Sequence, residues 1–132
     1  MTACYCAKMR AATRKIGSLY DEALAPFRIN VAQYSLLRKI QRLQPVSLTQ
    51  LGHDADLDRS TVSRNVRVLE KAGLAATAKG ELDQREAMAS LTPLGERTLN
   101  DALPAWEKSQ QAMEARLGAE KLKLLEEILG AL

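Results

Sequence analysis

Apolar positions along the chain recur at intervals of three and four residues, in stretches punctuated by proline, glycine and capping side chains. This is the period of a helix rather than the alternation of a strand. Met9, Ala12, Ile16, Leu19, Tyr20 and Ala23 fall on one face and predict an amphipathic helix from about Tyr5 to Leu24. Pro26 stops it, because proline lacks the N–H a helix needs and disfavours a helical residue before it. A second helix, Val31 to Leu43, carries Tyr34, Leu37 and Ile40 on one stripe and ends before Pro45. Ser47 caps a short third helix, SLTQLGHDA, whose Leu48 and Leu51 point inward. The turn HDAD and a cap at Asp58 lead into a fourth helix that stops at Gly73, the residue type suited to a left-handed helix end.

Beyond Gly73 the period shortens. The segments LAATAKG and EAMASLT alternate in part and flank a polar tip, Gly80 to Arg85, which predicts a small β-hairpin despite alanines that are weak strand formers. Thr92 then caps a helix with Pro93 at its first position, running through Leu94, Leu99, Leu103 and Trp106 to about Leu117, with Pro104 as a candidate kink. After Gly118 a last helix carries Leu122, Leu125, Ile128, Leu129 and Leu132. The predicted class is mainly α with a small β-hairpin wing. Long apolar stripes at both ends need something to cover them, and a second copy of the chain is the expected partner.

Composition narrows this picture little. At 132 residues, 46% of them apolar and 27% charged, the chain is long enough for one core and too apolar for a disordered tail. It has no run of about 18 apolar residues to span a membrane. The start, MTACYCAKMR, lacks the apolar core of a secretion signal, so a cytoplasmic protein is expected. Charge placement says more. Of 19 basic and 16 acidic residues, six basic (Arg59, Arg64, Arg67, Lys71, Lys79, Arg85) and three acidic (Glu70, Glu81, Asp83) lie between Arg59 and Arg85. The remaining 13 of each sign cancel, so the whole net charge of +3 belongs to this segment, a footprint suited to a polyanion.

The fourth helix explains what that charge is for. Val62, Val66 and Leu69 share the face that can pack on Leu48 and Leu51, which turns the opposite face outward. That outward side offers Ser60, Thr61 and Ser63 near the helix start, then Arg64, Arg67 and Lys71. Two short helices, a tight turn and a second helix with a basic, hydroxyl-bearing face form a helix–turn–helix signature. Arg64 has the reach for a base edge or a phosphate, whereas Arg67 and Lys71 suit phosphates. The helix start itself favours an anion, partly opposed by Asp58. Asn65 sits toward the buried edge and is expected to be structural.

The run SLTQLGHDADLDRSTVSRNVRVLEKAGL, followed by DQR and SLTPLGE, resembles the MarR (multiple antibiotic resistance regulator) family of winged helix–turn–helix repressors. The similarity in order and spacing extends over nearly the whole chain, and is most specific from Ser47 to Gly95. It implies a homodimer in which helices of 1–30 and 93–132 interlock while 31–92 form the winged lobe, with two lobes reading palindromic double-stranded DNA. It also implies that the helix from Asp58 enters the major groove, and that Arg85, preceded by Asp83 in an Asp-x-Arg pattern, reaches the minor groove with Lys79 beside it. Gln84 stands where such proteins often carry arginine, and Glu81 and Glu86 dilute the charge of the tip. Arg85 can equally pair with Asp83.

Other candidate chemistry is sparse. Cys4 and Cys6 are the only cysteines, and they read as free thiols packed in a dimer or as an oxidant sensor of the kind the family resemblance implies. Their side chains diverge by roughly 200° on a helix, so an internal bridge is disfavoured. Two cysteines do not close a metal site, and the single histidine, His53, reads as a surface or turn residue. No metal or cofactor is expected. The resemblance implies a small aromatic effector between the end helices and the winged lobe, where Tyr20, Tyr34, Arg38 and Trp106 either line a pocket or pack as core. The sequence thus points to a dimeric DNA-binding transcriptional regulator, expected to be a repressor released by a small molecule or oxidant. The competing reading is a winged-helix protein-interaction module. An enzyme, such as a thiol oxidoreductase built on Cys4 and Cys6, lacks a catalytic dyad, a phosphate loop or a metal cluster.

Overall fold

Helices begin where a side chain can take up the first free N–H groups, and four of the five here do so. The computed structural model describes residues 2–81 and 85–132. Helix α1 spans Tyr5–Leu24 and runs into a single 3-10 turn, Ala25–Phe27, closed by Arg28 in the left-handed region (φ 61°). Helix α2, Val31–Leu43, opens with a reciprocal capping box. The Asn30 side chain accepts from the Gln33 N–H at 2.9 Å, and the Gln33 side chain accepts from the Asn30 N–H at 2.9 Å. Ser47 caps α3, Leu48–Ala55, by accepting from Gln50 N at 3.0 Å, and Asp58 caps α4, Arg59–Lys71, by accepting from Thr61 N at 2.8 Å. Thr92 caps α5, Pro93–Ala131, through Gly95 N at 3.0 Å.

These boundaries agree with the hydrophobic pattern, with two differences. The helix passes Pro104 without a break. Proline there removes one N–H and crowds the Asn100 carbonyl, but both residues are exposed, so water can serve the freed oxygen. The interruption comes at Gly118, whose φ of 81° and ψ of 160° lie in a region open essentially to glycine alone. The second difference is in the sheet. Strands β2 (Ala75–Lys79) and β3 (Ala87–Leu91) form the expected antiparallel hairpin, and β1, only Val46–Ser47, pairs on the far side of β3 to give the order β1-β3-β2. Its register sets Val46 opposite Ala89 and Ser47 opposite Met88. Two residues are too few to show a period of two, so the pattern could not reveal β1.

One core joins every element. Leu24, Tyr34, Leu37, Ile40, Leu51, Val62, Val66, Leu69, Ala89, Leu99 and Ala102 belong to a single buried cluster. The end helices therefore root in the winged lobe rather than forming a separate unit. Polar ties hold the junctions. Gln44, after α2, donates to Glu96 at 3.0 Å and accepts from Leu91 N at 2.8 Å, which links α2, the end of β3 and the start of α5. Thr92 donates its hydroxyl proton to the Gly73 carbonyl at 2.6 Å, and its N–H donates to Leu74 O at 3.1 Å. The α4–β2 connection and the α5 start thus lie against each other.

Candidate nucleic-acid interface

Helix α4 is divided as the pattern required: Val62, Val66 and Leu69 are buried, while Ser60, Arg64, Arg67 and Lys71 are exposed. At 100° per residue the last four fall within roughly 60° of arc, directly opposite the buried stripe. Thr61 and Ser63 flank them and are half-buried. Their hydroxyls are not equivalent. Ser60 donates its proton to Asp58 Oδ1 at 2.9 Å and so presents lone pairs to a partner. Ser63 accepts from Arg59 Nη1 at 2.8 Å, which leaves its own proton to donate outward. Arg64 reaches back to Thr61 Oγ1 at only 3.4 Å, a weak hold that frees the guanidinium for other acceptors. The Asp58 carboxyl is held below its ordinary value of 3.8 by the Thr61 N–H, by the Ser60 and Thr61 hydroxyls and by the nearby Arg64 charge, so it is ionised at the mouth of the helix.

The turn between α3 and α4 is tight because Gly52 admits it. A Cβ on Gly52 would meet the Leu57 carbonyl at 2.9 Å and Val62 at 3.4 Å. Behind α4, Thr77 on β2 donates to Glu70 at 3.2 Å and ties the wing to α4. Lys79 at the end of β2 and Arg85 at the start of the return are both exposed. Asp83 and Gln84, the rest of the expected wing pattern, lie outside the described residues. Asn65 departs from its expected place: it is exposed and lines a groove between α2 and α4 with Gln33, Leu36 and Val68. Its position on the helix wheel, to one side of Leu69, puts it beyond the buried arc.

Tyr20, Tyr34, Arg38 and Trp106 come together, from α1, α2 and α5, at an open cleft of about 400 Å³. The Tyr34 and Trp106 rings stack with centroids 5.5 Å apart and planes 21° from parallel, and the Arg38 guanidinium lies 4.7 Å from the Trp106 centroid. Tyr20 donates to the Gln110 side chain across α1 and α5. Burial pushes the Tyr34 phenol up while the Arg38 charge pulls it down; burial and the Glu114 carboxylate both push Tyr20 up. Tyr34 is at once buried core and lining of this cleft. The sequence reading missed Lys39, Arg42 and Ser35 on the same rim, although the spacing of Arg38 and Arg42 by four residues was a signal that α2 has a basic edge.

Cys4 and Cys6 are free and exposed. His53 is exposed on α3, as expected. Among the described residues no group of three or more His, Cys, Asp or Glu is placed to hold a metal ion. No helix among them is long and apolar enough to cross a membrane.

A helix–turn–helix whose second helix is basic, a three-stranded wing behind it and long helices at both ends define the winged helix–turn–helix class of fold. The family model described as MarR family matches residues 29–87. An HTH-type transcriptional regulator of Bacillus subtilis, YdcH, is 34% identical over 106 residues, covering 77% of this chain and 69% of its own. A second from the same organism, YhbI, is 29% identical over 93% of this chain and 80% of its own. Among solved structures, the Mycobacterium tuberculosis transcriptional regulator MosR in complex with DNA has a TM-score of 0.85, at 29% identity, over 98% of this chain and 95% of its own. The chain belongs to the MarR family. It is by class a DNA-binding transcriptional regulator.

Proposed function

We propose that the protein is a homodimeric repressor that reads palindromic double-stranded DNA with α4 in the major groove and the wing alongside. The exposed arc of Ser60, Arg64, Arg67 and Lys71, backed by a buried apolar face, is the observation that carries this reading. A protein-interaction module would have no use for guanidinium groups grouped with hydroxyls at a helix start. That MosR has been solved on DNA supports the same assignment. Ser63 and Arg64 are the base-reading candidates. Thr61, Arg67, Lys71, Lys79 and Arg85 are assigned to the phosphate backbone and the wing, and Ser60, whose proton is held by Asp58, to a hydrogen-bond donor on a base edge.

Dimerisation is supported by apolar side chains left in the open at both chain ends. Tyr5 and Met9 on α1, and Leu124, Leu125, Ile128 and Leu129 on α5, are exposed in the single chain. Such a concentration on two adjoining helices is what a partner chain would cover. In the same reading the cleft at Tyr34 and Trp106 receives a small effector, and Cys4 and Cys6 remain accessible to an oxidant.

Selection of duplexes from a random pool, followed by titration of the recovered sequence, tests the assignment. The expected site has two half-sites with centres about 10–10.5 bp apart, bound with an affinity that falls steeply as salt rises. Arg64→Ala should weaken binding by about 1–3 kcal/mol. Unchanged affinity in that variant would remove α4 from the groove.

A further inference from the structure

A serine is by nature an ambiguous reader of DNA, because a free hydroxyl can turn to donate to a base or to accept from one. At the start of α4 two serines have lost that freedom, in opposite senses. Ser60 donates to Asp58 Oδ1 at 2.9 Å, and a carboxylate can only accept, so the Ser60 oxygen offers lone pairs alone. Ser63 receives a proton from Arg59 Nη1 at 2.8 Å, and a guanidinium can only donate, so the Ser63 proton must go elsewhere. Other helical hydroxyls in the molecule give that proton to the carbonyl four residues back: Thr13 to Met9 at 2.9 Å, Ser18 to Arg14 at 3.0 Å and Ser109 to Ala105 at 3.2 Å. Ser63 makes no such bond among the described residues. Asp58 and Arg59 are drawn into no ion pair among those residues, so each serves its own serine. Their charges strengthen the two senses, the carboxylate enriching the Ser60 oxygen and the guanidinium sharpening the Ser63 proton.

We infer that Asp58 and Arg59 are positioning residues that make Ser60 a fixed acceptor and Ser63 a fixed donor toward base edges. The inference rests on α4 entering the major groove, and adds which bases each serine admits and what sets that choice. A fixed acceptor requires an exocyclic amino group, so Ser60 admits adenine (N6) or cytosine (N4) and rejects guanine and thymine, whose major-groove hydrogen-bonding atoms are all acceptors. A fixed donor requires an acceptor, so Ser63 admits guanine (O6, N7), thymine (O4) or adenine (N7) and rejects cytosine. Phosphate oxygens are acceptors too, so Ser60 has no partner on the backbone. Three helical residues rise about 4.5 Å and base pairs stack about 3.4 Å apart, so the two serines reach the same or neighbouring pairs. If both fall on one base, only adenine satisfies them. Arg59 stands about 100° round the helix from Ser60, beside the outward arc, and acts by holding Ser63 rather than by touching a base.

The duplex recovered from the random pool is varied one base pair at a time, and affinities are compared as ratios between duplexes. A uniform change caused by an altered protein charge then cancels. In the wild type, one pair in each half-site should favour an amino base on a fixed strand about three- to tenfold. The same or a neighbouring pair should disfavour cytosine by a similar factor. Ser60→Ala should abolish the first preference and spare the second, and Ser63→Ala should do the reverse. Asp58→Gly, a tolerated cap with no acceptor, should relax the first preference, whereas Asp58→Asn keeps Oδ1 and should retain it. Arg59→Met should relax the second preference, and Arg59→Lys, still a cationic donor, should retain it. If the serine variants shift the ratios while Asp58→Gly and Arg59→Met do not, the positioning role is overturned. Ratios unmoved by either serine variant would overturn the base assignment as well. Arg64→Ala tells these failures from that of the underlying reading: lost affinity keeps α4 in the groove, and unchanged affinity sinks both together.

Discussion

Asp58 shows how one side chain serves two demands. Its carboxylate closes the first turn of α4 by accepting the Thr61 N–H, and it also receives the Ser60 hydroxyl. These donors favour the charged form, so the folded-state pKa lies below the ordinary value of 3.8. A depressed carboxyl contributes stability that is present above the unfolded-state value and lost as pH falls through the folded-state one. Asp58→Asn keeps a competent cap but does not titrate. Thermal melts should therefore find the wild type more stable than Asp58→Asn near neutral pH, with the gap closing below about pH 4. A gap that stays constant with pH would mean the cap works through shape alone. The cap could be read from the sequence; the Ser60–Asp58 bond could not, since it depends on which rotamer each side chain adopts once α4 is seated.

At the scale of elements, close approach decides more than propensity. Gly95 faces the α4–β2 connection, where a Cβ would stand 2.0 Å from the Leu74 carbonyl oxygen. No side-chain rotation relieves a clash with backbone, so Gly95→Ala should cost about 3 kcal/mol or more in urea denaturation. Gly52→Ala, at 2.9 Å from the Leu57 carbonyl, should cost less, because the turn can move by tenths of an ångström. A reversed order of the two would contradict the packing described. Sequence alone gave no reason to separate these glycines, for both sit in helical stretches. By contrast the helix boundaries were legible, because caps and stops act within four residues. Asn30 and Gln33 form a capping box of the same local kind, present in the sequence as NVAQ and passed over.

For the whole molecule, Gly118 sets the course of the C-terminal apolar stripe. The stretches before and after it are each helical, and the glycine-only backbone between them redirects Leu122, Leu125 and Leu129 relative to Met113. Gly118→Ala places a Cβ in that region at a cost of about 1–3 kcal/mol, which straightening the helix would relieve. Sedimentation equilibrium should then detect a weaker dimer, with DNA affinity falling in proportion, whereas an unchanged dimer would separate the break from the assembly. The net charge of +3 also acts at this scale: it resides on α4 and the wing, so salt should weaken DNA binding without loosening the fold.

The sequence by itself determined the helices, their caps, the apolar face of α4 and the basic arc opposite it, because each follows from spacings within one element. Fold class follows from those, and the family from the resemblance carried by the run from Ser47 to Gly95. Tertiary structure decided what no spacing contains: the third strand at Val46–Ser47, the stacking of Tyr34 on Trp106, and the sharing of Lys39 and Arg42 by Asp54. Each of these joins residues from different elements. Their meeting depends on how the core closes, and that is a property of all the packed faces together.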